Sequence, residues 1–301
     1  MKFNKVTIVG TGLLGGSLAK DLRALDLCES IVGVCRSETT KEQALEKGIV
    51  DAVLPIEEAV VDVDLIVFAT PMQTMLSLIR QISNIVSPDT IITDVGSVKQ
   101  SLYQEIKKQC PNLLSQFVFA HPIAGGEHSG VVAAKTGLFT GKHVIIADTP
   151  ELNTDVASKV NNLWQQLGAS VVKMGLLEHD AIFSKTSHLP HIVAFSLVNF
   201  LHNQTDRERL FEMAAAGFYD FTRIASSDAH MWRDICITNK EQVLSALDGY
   251  REQIDIIRKK ISNEDEQGVF NYFAAANTAR DDGLIKKKRL ADQSNKKPNN
   301  K

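Results

Sequence analysis

The chain has 301 residues, of which 44% are hydrophobic and 23% charged, with a net charge of −3. That size predicts about two domains on a prior of roughly 150 residues each, and the composition suits a globular protein with a full core. It excludes a helical membrane span, because no apolar run approaches the ~18–20 residues that one requires.

"MKFNKVTIVG" enters a strand pattern at once, with no signal-peptide core. Cys28, Cys35, Cys110 and Cys236 show neither C-x-x-C spacing nor a metal-ligand cluster. Scattered thiols without a leader predict a cytoplasmic protein that uses no metal.

In chain order, "KVTIVG" (5–10) reads as a strand and "LLGGSLAKDLRAL" (13–25) as an amphipathic helix. "SIVGVC" (30–35), "DLIVFAT" (64–70), "TIITDVG" (90–96), "FVFAH" (117–121), "HVIIA" (143–147) and "ASVVKM" (169–174) read as further strands. Near-continuous Val and Ile content, alternating with helices, predicts an α/β fold: a doubly wound, mostly parallel sheet with right-handed connections.

Past Met174 the strand signal ends. Segments 179–203, 206–221, 226–262 and 269–280 have helical period, and Ser227 or Asp228 is placed to cap the third. The predicted organisation is a dinucleotide-binding domain over 1–174, an all-helical domain over 175–281 and a basic disordered tail over 282–301. A helical domain with little to close its own core is predicted to pack on a second copy, making a homodimer. Residues 286–301 hold seven Lys or Arg against one Asp, which leaves −9 on the rest of the chain. The tail therefore reads as a solvated end with no nucleic-acid partner, since the body repels phosphate.

"VGTGLLGGS" places Gly10, Gly12 and Gly15 between the first strand and the first helix, with Leu13 and Leu14 inside the turn. In that context G-x-G-x-x-G predicts dinucleotide binding: Gly10 for the tight turn, Gly12 for backbone approach to a pyrophosphate, Gly15 for close helix packing. The second strand ends in "VCRSETT", with no carboxylate at its tip to accept from a ribose 2′-hydroxyl. Arg36 and Ser37 suit a 2′-phosphate, which favours NADP over NAD. An exposed loop arginine is the plainer reading, and Glu38 weighs against the phosphate.

In "FVFAHPIAGG" a strand ends on His121, at the edge of the sheet where ligands bind in such folds. Thr70, Pro71, Gly96 and Ser97 end other strands on that edge and are expected around a nicotinamide. General acid/base work is the better reading of His121 there. Ser97 also fits a capping box with Gln100, a role compatible with a place in the site.

Asp180, Ser184, Ser187 and His191 follow helical steps along one polar face, to be satisfied by the protein or by a ligand. Pro190 deprives the Thr186 carbonyl of its partner and predicts a bend. Arg223 and Arg233, read alone, are ordinary salt-bridge formers.

Seven motifs in one order, "GTGLLGGS", "TDVGSVK", "HPIAGGEHSG", "LFTGK", "EHD", "SHLPH" and "GFYDFTRIASSDAHMWRD", run over about residues 5–280. With these the chain resembles the prephenate/arogenate dehydrogenase family of tyrosine biosynthesis. The resemblance implies a Rossmann domain followed by a helical dimerisation domain, and a homodimer. It also implies a catalytic histidine at His121, hydrogen-bonded by Ser97. His191 and Arg223 would hold the substrate, His191 as a donor, with Glu127, Asp180 and Trp232 lining the same site. Gly126 departs from the family, where a threonine is common.

That resemblance implies oxidative decarboxylation of prephenate to 4-hydroxyphenylpyruvate with hydride transfer to NAD or NADP, or else oxidation of arogenate to tyrosine. A β-hydroxyacid dehydrogenase would need a catalytic lysine; Lys185 lies on the right helix but lacks the surrounding pattern. A cofactor-binding sensor without turnover is opposed by His121, Ser97 and Arg223 together. The short remainder after Arg280 predicts a monofunctional enzyme.

Overall fold

The computed structural model describes residues 2–126 and 130–295, with side-chain surroundings as far as 286. Contacts divide the chain into two units, Met1–Val243 and Leu244–Lys301.

The first unit is built on β1 (Phe3–Val9), β2 (Cys28–Val34), β3 (Ala52–Val53), β4 (Leu65–Phe68), β5 (Ile91–Asp94) and β6 (Phe117–Val118). They form one parallel sheet in the order β3-β2-β1-β4-β5-β6. The helices α1 (Leu13–Ala24), α2 (Glu38–Glu46), α3 (Ile56–Ala59), α4 (Met72–Ile82) and α5 (Gln100–Gln109) connect them. Along β4, Leu65 and Val67 join one hydrophobic cluster while Ile66 and Phe68 join another, so the sheet is buried on both faces. That is why its strands read as unbroken apolar runs. On α4, Met72, Met75, Ile79 and Ile82 make the buried stripe, each side chain contributing roughly 1.5–3 kcal/mol by leaving water.

The order reverses between β1 and β4, which opens the crevice where doubly wound sheets bind ligands, at the carboxyl ends of both strands.

A second sheet follows. The run 117–121, expected as one strand, divides at Phe119: β6 pairs with β5, whereas β7 (Ala120–Pro122) lies antiparallel to β8 (His143–Asp148). The chain crosses between sheets here, with the Phe119 carbonyl accepting from the Ala147 N–H at 2.9 Å. β9 (Ser170–Gly175) pairs parallel with β8, and α6 (Thr154–Gln166) runs between them in sequence.

From Leu176 onward the chain is helical: α7 (Leu176–Phe183), α8 (Leu189–His202), α9 (Arg207–Met213), α10 (Ala216–Thr222), α11 (Ala229–Thr238), α12 (Lys240–Ser262) and α13 (Glu266–Asn295). Asp228 supplies the cap predicted for the third segment, accepting from the Met231 N–H at 2.7 Å. In the second unit the turn between α12 and α13 is held by Asp265, which accepts from the Gly268 N–H at 2.9 Å. The structure continues α13 as helix to Asn295, where the sequence reading begins a disordered tail at 282.

Candidate active site

At the crevice, Gly10 has φ 97°, and a Cβ there would meet the Ala69 carbonyl oxygen at 2.7 Å. A Cβ on Gly15 would meet the Gly10 oxygen at 2.0 Å, whereas one on Gly12 would meet nothing within 4 Å. Gly12 is also the N-cap of α1 and lends it no side-chain bond. An open helix N-terminus beside a glycine in free space is a cradle for a phosphate. The buried Thr70 hydroxyl at the end of β4 has no partner among the described residues.

At the tip of β2, Arg36 is exposed and makes no ion pair among the described residues, while Glu38 pairs with Lys41 at 2.9 Å. Ser37 caps α2: its hydroxyl donates to Thr40 Oγ1 at 2.7 Å and accepts from the Thr40 N–H.

His121 lies on β7, 9% exposed. Its neighbour Ala120 is clamped by a buried ion pair at the end of β5. Asp94 accepts from the Ala120 N–H at 3.1 Å, and Lys99, paired with Asp94, donates to the Ala120 carbonyl at 2.8 Å. Both residues are fully buried, so each charge depends on the other. The clamp fixes the backbone of the histidine against the 94–99 turn, which carries Gly96 and Ser97.

Around the His121 ring, Nδ1 stands 2.8 Å from His179 Nε2, and His179 Nδ1 stands 2.7 Å from Asp180 Oδ1. Asp180 also accepts from the backbone N–H groups of Lys99 and Gln100, each at 2.9 Å, and so caps α5 from α7. Phe183 packs edge-on to His121 with centroids 4.9 Å apart. Burial is the main cause that pulls His121 well below the usual histidine range, with repulsion from His179, Lys99 and His188 adding to it. His179 is lowered too, burial outweighing the bond to Asp180. The rings are neutral near pH 7.

Between α7 and α8 the helix widens into a π-turn over Ser184–His188, where the Leu189 N–H reaches the Ser184 carbonyl. This is how the chain absorbs Pro190. His188 is buried, its Nδ1 3.3 Å from Asn239 Nδ2, and burial brings its pKa to about 4. His191 stacks on Trp232 with ring centroids 3.9 Å apart and 23° between planes.

Two family models match the chain, the nucleotide-binding domain of prephenate dehydrogenase over residues 18–173 and its dimerisation domain over 177–275. The chain belongs to the prephenate dehydrogenase family. It is 35% identical to a Bacillus subtilis prephenate dehydrogenase, over 92% of this chain and 75% of that protein. Its fold matches a prephenate dehydrogenase of Aquifex aeolicus, solved with hydroxyphenyl propionate and NAD+, at a TM-score of 0.87 and 35% identity over 94% of this chain and 99% of that one. A Synechocystis arogenate dehydrogenase matches at 0.77 and 26%, over 92% and 99%.

Against the family's expected site, the structure brings His121 beside the 94–99 turn and His191 beside Trp232. Glu127 lies outside the described residues. Ser97 is half-buried and does not cap α5, which starts at Gln100 and is capped by Asp180; nor does its hydroxyl bond His121 among the described residues. Asp180, expected to line the substrate site, is 2% exposed, with both carboxylate oxygens engaged behind His179. The π-turn breaks the helical steps of the 180–191 stripe: Ser184 is buried on the Ala181 carbonyl, and Ser187 is half-buried. Arg223 is exposed at the start of a 3-10 turn, Arg223–Ser226. Lys185 is exposed. Sequence reasoning passed over His179, although "EHD" was among the motifs.

Proposed function

We propose that this protein is a prephenate dehydrogenase, converting prephenate to 4-hydroxyphenylpyruvate and CO2 with reduction of a nicotinamide dinucleotide. The observation that carries this reading is a buried, neutral His121 clamped through Ala120 to the end of β5, beside the crevice at Gly10–Gly15. The clear space at Gly12, the uncapped start of α1 and the unpartnered Thr70 hydroxyl fit a dinucleotide. When bound, the nicotinamide accepts hydride from the ring carbon that carries the alcohol.

The chain's own groups supply the rest. His121 takes the hydroxyl proton as general base, a role worth roughly 10²–10⁴-fold. Ser97, on the adjoining turn, orients the alcohol. The ketone so formed withdraws electrons from the ring carboxylate, whose loss as CO2 makes the ring aromatic. Arg223 pairs with a substrate carboxylate, a charge-assisted bond contributing about 1.5–3 kcal/mol. A local cation is needed because prephenate is a dianion approaching a negatively charged body.

Arg36, exposed and without an ion-pair partner among the described residues, favours the 2′-phosphate of NADP, and Glu38 pairs with Lys41. The chain works as a homodimer in the cytoplasm; exposed Leu244, Ile254, Phe270 and Phe273 supply apolar surface for a second copy. Steady-state assays crossing prephenate and arogenate with NAD and NADP test the proposal. Turnover of prephenate at a higher kcat/KM than arogenate supports it, and turnover of arogenate alone overturns the substrate.

A further inference from the structure

The bonds from His121 inward run in one direction only. The carboxylate of Asp180 can accept but not donate, so the proton on the His179–Asp180 bond belongs to His179 Nδ1. A neutral His179 then has a lone pair at Nε2, and the 2.8 Å contact requires His121 to donate from Nδ1. A neutral His121 with its proton on Nδ1 carries its lone pair on Nε2. Asp180 in turn accepts from two backbone N–H groups at the start of α5, where a helix end favours negative charge. The arrangement thus reads α5, Asp180, His179, His121, with each member setting the proton of the next.

We infer that His179 is a positioning residue that holds His121 in the tautomer whose Nε2 is free to take the substrate proton. The inference rests on His121 being the base. The proton moves from the alcohol oxygen to His121 Nε2; the Nδ1 proton stays in place, and the imidazolium that forms is steadied through neutral His179 by the Asp180 carboxylate. Phe183 packs against both rings.

The test compares His179→Leu, His179→Gln and His121→Asn in the full-length enzyme with cofactor and prephenate, alongside 15N spectra of the wild-type histidines. Leucine leaves Nδ1 of His121 without an acceptor and should lower kcat by about 10²-fold or more with KM within about twofold. Glutamine can accept from His121 and donate to Asp180, and should recover most of kcat. Wild-type spectra should show His121 protonated at Nδ1.

Protonation at Nε2 in the wild type overturns the inference, whether or not any variant folds. So do equal kcat losses for leucine and glutamine, or a leucine variant within twofold of wild type while His121→Asn is inactive. An active His121→Asn enzyme instead removes the base assignment itself.

Discussion

His191 lies flat on the indole of Trp232, and its Nδ1–H is donated to the Ser187 carbonyl at 2.9 Å. A neutral ring so tied has only a lone pair at Nε2, so the donor role expected of it toward a substrate carboxylate requires a second proton. Burial lowers the pKa of His191 in the free protein, and an adjacent dianion raises it. Prephenate binding is therefore expected to take up a proton, and affinity to weaken as pH rises between the two values. KM for prephenate measured from pH 6 to 9 should climb, by at most about tenfold per unit. In His191→Asn the slope should vanish; an unchanged slope would remove His191 from the carboxylate.

Arg223→Ala should raise KM for prephenate at least about tenfold, in keeping with loss of a charge-assisted bond. A KM within twofold of wild type rejects the anchor.

Arg36→Ala should weaken NADP and spare NAD, because only the former carries the 2′-phosphate that a guanidinium would hold. Titration of the two cofactors by fluorescence decides it: equal losses contradict the assignment.

The glycines of the first turn should separate fold from binding. Gly12→Ala places its methyl in open space, so its melting temperature should match wild type while cofactor affinity falls. In Gly15→Ala the methyl meets the Gly10 backbone oxygen at 2.0 Å, and the protein should lose stability outright. Unaltered cofactor binding in Gly12→Ala would place the pyrophosphate elsewhere.

The neutral, buried His188 makes stability depend on pH. Its pKa falls from 6.5 to about 4 on folding, so the unfolded chain binds the extra proton first. Its contribution is full above pH 6.5 and is lost as pH falls toward 4, by about 3 kcal/mol at one pKa unit per 1.36 kcal/mol. Urea unfolding at pH 7 and 4.5 should show a smaller difference for His188→Gln than for wild type. Equal differences would mean that His188 is already protonated in the folded state.

How much of this was legible in the sequence follows from the distance over which each feature is decided. The Gly10–Gly15 turn is a local device, and its spacing announced the strand–helix junction. The sheet followed from runs of Val and Ile, but not the division at Phe119, because periodicity does not say which neighbour a strand pairs with. Ser97 matched a local capping pattern and lost to Asp180, which reaches α5 from 81 residues away. His179 escaped notice because its partner is 58 residues earlier, on β7. Pro190 announced a disturbed helix; that it takes the form of a wider turn is seen only in the backbone bond from the Leu189 N–H to the Ser184 carbonyl.

That wider turn sets a constraint on winding. At 3.6 residues per turn each residue advances a helix by about 100°. Winding Ser184–His188 as regular α-helix with no residue removed would swing everything before it round by about that amount relative to α8. His179 would leave His121, and the start of α5 would lose its carboxylate. A change that straightens this turn without shortening it, with no reacting group removed, is expected to silence the enzyme.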